Sequence, residues 1–75
     1  MEILKVGDYY CVKNGASFVG GKFGSQEAAQ LAVDNLPVDL FESVWIYALS
    51  TGQDSITVED VNALLLSVAN DKHAR

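Results

Sequence analysis

One cysteine, one proline, one histidine and one tryptophan occur in 75 residues, and each scarcity removes a class of protein. With Cys11 alone, no disulfide can form within the chain, which suits a reducing compartment better than a secreted scaffold. Cys11 is expected to be an ordinary core or sheet residue. His73, the sole histidine, stands beside Asp71, Lys72 and Arg75, where a frayed tail is expected. A zinc site therefore lacks its ligands. No apolar run approaches the roughly 18 residues needed to cross a bilayer, so no membrane partner is expected. The opening Met1-Glu2-Ile3-Leu4-Lys5 lacks the features of a secretory leader, and the expected location is the cytoplasm.

The most informative scarcity is of positive charge. Lys5, Lys13 and Lys22 stand against Glu2 and Asp8 in the first 22 residues. From residue 23 to residue 70 there is no lysine or arginine at all, while Glu27, Asp34, Asp39, Glu42, Asp54, Glu59 and Asp60 are acidic. The net charge is −5. Such a stretch repels nucleic acid and steers the chain toward basic surfaces, so the expected partner is a protein or nucleoprotein complex with a basic face. A second physical account competes with this one. Glu27, Asp39, Glu42, Glu59 and Asp60 all fall at expected helix caps or first turns, where a carboxylate stabilises the helix whatever the function.

What is present describes one α+β domain spanning residues 1–75. Ile3 to Val6 and Tyr9 to Lys13 are rich in β-branched and aromatic residues, with Gly7-Asp8 as a turn between them. Asn14-Gly15 predicts a two-residue hairpin turn into a third strand, about Ala16 to Phe23, in which Gly20-Gly21 predicts a bulge or a close backbone approach. The first helix is expected over 26–36, capped by Ser25 and ended by Pro37; Ala28, Leu31 and Ala32, or Ala29, Val33 and Leu36, would face the sheet.

A second helix is expected over 39–50, with Asp39 and Glu42 at capping-box spacing. Its rival is a fourth strand at 43–49, since Val-Trp-Ile-Tyr suits a strand equally by propensity. A third helix is expected over 58–70, with Thr57 and Asp60 forming a cap, Val61 stapling Ile56, and Val61, Leu64, Leu65 and Val68 on its apolar face. Leu66 falls off that stripe. It is either part of a broad stripe buried between the sheet and the second helix or a second contact surface. The architecture is thus a three-stranded antiparallel sheet followed by three helices.

Catalytic patterns fail on spacing. Gly21-Lys22 has Ala16 where a phosphate-binding loop needs its first glycine, and Phe23 where it needs a hydroxyl. Gln53 to Glu59 lacks the alternating oxygen ligands of a calcium loop. No nucleophile can be paired with a base when the only histidine lies in the tail. Glu59 and Asp60 diverge on a helix and cannot flank a scissile bond. The expectation is a non-enzymatic protein with no cofactor and no metal.

Tyr9 and Phe18 are the aromatic candidates for an interface. Both are expected in the core, but if the second and third helices leave that sheet face open they form an exposed patch.

The run Asn14-Gly15, Ser17, Phe23, Ser25, Glu27 and Leu36-Pro37 resembles the hairpin, strand and capped helix of small phage anti-CRISPR proteins of the short-sheet-plus-helices type. The resemblance implies an inhibitor, acting in the host cytoplasm, that occupies the DNA-binding surface of a type I surveillance complex. The stretch from Phe23 to Asp34 is also similar to the strand-to-helix junction of plant-type and integrase-arm DNA-binding domains. The strands here lack the arginines of those readers and the helix is acidic, which argues against direct nucleic-acid binding. Three functions follow as expectations: an acidic inhibitor that mimics DNA through its carboxylates; a structural or assembly subunit, including a homodimer, acting through Leu66, Tyr9 or Phe18; and, last, a nucleic-acid-binding module.

Overall fold

The computed structural model describes the backbone from Met1 to His73 and the side chains from Met1 to Ala69. Strands β1 (Glu2–Val6), β2 (Tyr9–Asn14) and β3 (Ser17–Phe23) form an antiparallel sheet in the order β1-β2-β3. Val6 pairs with Tyr9 across the Gly7-Asp8 loop. Asn14 pairs with Ser17, so the second loop is Gly15-Ala16, one residue later than Asn14-Gly15. The physical reason is the positive φ that a two-residue loop of this kind needs at its first position, supplied by Gly7 (62°) and Gly15 (65°).

Side chains alternate across the strands, so each face has its own composition. Ile3, Tyr10, Val12, Val19 and Phe23 belong to the face that packs with the core. Tyr10 pairs with Phe23 but Val12 pairs with Val19, so residues 20 to 22 bulge opposite Cys11, where the glycine pair predicted it.

Helix α1 (Gln26–Asn35) begins with the Ser25 side chain accepting the Ala28 amide at 3.2 Å. Its Ala28, Ala29 and Ala32 are fully buried, with Leu36 just beyond, so both candidate sets for the inward face contribute. After Pro37 comes a 3-10 turn (Val38–Leu40), then α2 (Phe41–Ser50). The Trp45 segment is therefore a helix, because Phe41, Val44 and Ala48 recur at helical spacing and all three are fully buried.

The Asp39–Glu42 capping box does not form. The Leu40 amide donates to the Pro37 carbonyl and the Phe41 amide to the Val38 carbonyl, so the 3-10 turn itself supplies partners at the entry to α2.

Helix α3 (Val58–His73) runs three residues past its expected end at 70. It packs against α1 and α2 rather than the sheet. Leu66 is consequently 65% exposed, and the broad stripe buried between sheet and helix does not occur. The side chains of Lys72, His73 and Arg75 lie outside the described residues.

Two contacts join the layers. Phe23 and Phe41 meet edge to face, with centroids 6.1 Å apart and rings at 68°. Buried Ile56 extends the sheet: its amide donates to the Lys22 carbonyl at 2.7 Å and its carbonyl accepts from Gly24 at 2.8 Å.

The bulge glycines set how close α2 can come. A Cβ at Gly20 would meet the Phe41 carbonyl oxygen at 3.0 Å, and one at Gly21 would be driven into the Trp45 indole. Gly21→Ala is expected to destabilise the fold by about 1 to 3 kcal/mol through overpacking, measured as a lower urea midpoint. Phe41→Ala is expected to cost about 3 to 5 kcal/mol. That loss is comparable with the whole stability of so small a core, so circular dichroism should find the variant largely unfolded.

Candidate functional site

The approach of α2 to β3 leaves a cleft of about 350 Å³ at the strand's outer edge, lined by Phe18, Val19, Gly20, Val38, Asp39, Glu42 and Trp45. Its wall on one side is strand backbone at the bulge. On the other are the 3-10 turn and the first turns of α2, where Val38, Glu42 and Trp45 recur at helical spacing. Trp45 is half-buried, seated on Gly21, so its indole cannot move inward. Phe18 is 60% exposed. Asp39 and Glu42 are exposed and make no capping bond. Four groups suited to a cationic partner thus meet in one place, two carboxylates and two aromatic rings.

The expected core burial of Phe18 and Tyr9 is overturned by the packing of all three helices on one side of the sheet. Phe18 pairs with Lys13, which shares the outer face with Tyr9 and Cys11. Cys11 is a half-buried sheet residue. Tyr9 is half-buried in a separate surface arrangement: the Lys22 ammonium lies 4.7 Å from its ring centroid, and its hydroxyl donates to Asp54 at 3.3 Å.

The remaining acids divide by position. Glu27 and Asp34 lie on one exposed side of α1, where Asp34 accepts from Gln30 at 2.9 Å. Glu27 also borders a shallow depression with Ser25, Gln26 and Gln30. Glu59 is exposed in the first turn of α3. Asp60 is 5% exposed, which corrects its candidacy for a partner surface. Its carboxylate accepts the Thr57 amide and hydroxyl, both at 3.0 Å, while its own amide donates to the Thr57 hydroxyl at 3.2 Å. With its amide nitrogen turned inward, Gln53 donates to both carboxylate oxygens at 3.1 and 3.2 Å. Thr57 therefore caps α3 with Asp60 as the returning member of the capping box, and Ile56 and Val61, at staple spacing, are both buried.

Trp45, Val38 and Gly20 are members of the cleft that residue patterns did not single out. Trp45 read as one more apolar position of a helix. The available signal was the adjacent glycine pair, which marks a place where another group approaches the strand backbone. Among the described residues, no three His, Cys, Asp or Glu side chains gather as metal ligands would. None of the helices in that range is long and apolar enough to cross a membrane. No protein-family model, curated protein or solved structure matches the chain.

The Asp54 carboxylate beside Tyr9 raises the phenol above its ordinary value of 10.0, since ionisation would place a second negative charge at that hydrogen bond. The phenol is protonated below that value, so the link is intact at neutral pH and is lost as pH rises through the elevated value. In a spectrophotometric titration Asp54→Asn is expected to bring the Tyr9 transition down. An unchanged titration would remove Asp54 as the cause.

Proposed function

We propose that this chain is a non-enzymatic binding protein that docks its acidic aromatic cleft on a basic protein surface. The observation that carries this reading is the meeting of Phe18, Asp39, Glu42 and Trp45 in one cleft. An aromatic anchor in a concave, partly desolvated site is the usual centre of binding energy, and neighbouring carboxylates select a cationic counterpart and speed encounter. The absence of lysine and arginine from residue 23 to residue 70 extends the same electrostatic preference over the surrounding surface. In the narrower form implied by the resemblance to phage anti-CRISPR proteins, the basic surface belongs to a host nucleic-acid-handling complex and the carboxylates stand where phosphates would.

The test uses a short arginine- and lysine-rich peptide, followed by the fluorescence of the single tryptophan, Trp45. Binding is expected to be strong at low salt and largely lost at about 0.5 M, where screening acts within a few ångströms. The double variant Asp39→Asn/Glu42→Gln is expected to bind about tenfold more weakly with a melting temperature only slightly lower, since both carboxylates stand in first turns but neither makes a capping bond. Equal affinity of the variant would sink the cleft as the docking site. The narrower form requires that the wild-type chain release DNA from a purified type I surveillance complex and that this variant fail to do so.

A second reading, an assembly subunit or homodimer, draws on a different observation. Ile46 and Leu49 project from α2 with 59% and 50% exposure, and Leu66 from α3 is also exposed. Light scattering at high concentration is expected to find an oligomer that Ile46→Glu or Leu66→Glu dissolves, and a monomer throughout would end this reading.

A further inference from the structure

We infer that the group the cleft takes is an arginine side chain from a basic segment of the partner, an inference that rests on the cleft being the docking site. A space of about 350 Å³ accommodates one long side chain and its immediate backbone rather than a folded element. Its two rings and two carboxylates suit a planar cation. A guanidinium stacks on an aromatic face while its N–H fork reaches carboxylate oxygens, and it is more weakly hydrated than an ammonium. Lysine offers a compact charge without the plane or the fork.

The placement of each group supports stacking combined with pairing. Trp45 rests on the Gly21 backbone and so presents a fixed ring, which lowers the ordering cost of binding. Asp39 and Glu42 stand three residues apart where the 3-10 turn becomes α2, and the turn's own carbonyls accept the Leu40 and Phe41 amides. Phe18, on the strand side, adds a second aromatic surface that the fold leaves largely uncovered. Lys22, the lysine that follows the bulge glycines, is engaged with the Tyr9 ring on the outer face of the sheet. Lys22 is thus engaged away from the cleft, which it does not line.

Three peptides of equal length, alike except for a central arginine, lysine or citrulline, distinguish the possibilities when titrated against the full chain with Trp45 fluorescence as the readout. Arginine is expected to bind about tenfold more tightly than lysine, and citrulline, flat but uncharged, to bind hardly at all. Phe18→Ala, at an exposed position where folding is retained, is expected to weaken the arginine peptide about threefold and the lysine peptide less. Equal binding of arginine and lysine, abolished by Asp39→Asn/Glu42→Gln, would overturn the arginine inference and leave the docking cleft standing. Binding of none of the three would overturn both. A change in Trp45 emission on Arg75→Ala with no peptide present would make the chain's own arginine the occupant and overturn the assignment to a partner.

Discussion

The seating of α2 on the bulged end of β3 is the contact on which the rest of the molecule depends. A helix carrying phenylalanine and tryptophan on one side can approach strand backbone this closely only where the strand has no side chains. Gly20 and Gly21 supply that gap, one beneath the Phe41 carbonyl and the other beneath the Trp45 indole. The same approach brings Phe41 onto Phe23, the largest aromatic contact of the core. It also opens the cleft, because the 3-10 turn leading into α2 must pass the outer edge of β3. Stability and candidate site are thus consequences of one close packing.

Charge has several roles here. Asp60 is a buried capping-box residue whose carboxylate is satisfied by the Thr57 amide and hydroxyl, and Asp54 holds the Tyr9 hydroxyl at the surface. Glu27 and Asp34 line an exposed helix side, where an isolated ion pair contributes little in water. Asp39 and Glu42 differ from these by sharing a concave site with aromatic rings, where partial desolvation strengthens attraction to a cation. Position, rather than the number of acids, separates the pair proposed to recognise a partner from the charges that face open solvent.

The helices enclose the core from one side only. Val12, Phe23, Val44, Ile56 and Val61 are sealed, yet Phe18, Ile46, Leu49 and Leu66 remain largely exposed. So small a chain cannot bury all its apolar residues around a single core, and some are left at the surface.

Local chemistry in the amino-acid order by itself determined the strands, the bulge, the Ser25 and Thr57 caps, the stop at Pro37 and the lopsided charge. Each depends on residues within one turn or one hairpin of each other. Tertiary packing decided what local rules leave open. Strand and helix compete evenly for Val-Trp-Ile-Tyr in isolation, and the helix prevails because it buries Phe41, Val44 and Ala48 together. A 3-10 turn stands where the Asp39–Glu42 box was expected, its Pro37 and Val38 carbonyls accepting the Leu40 and Phe41 amides. Phe18 and Leu66 became surface residues because every helix lies on one side of the sheet and α3 packs on the other two helices. The cleft itself joins residues 18 to 20 with residues 38 to 45, and a juxtaposition across that separation exists only once the close approach at Gly20 and Gly21 has been made.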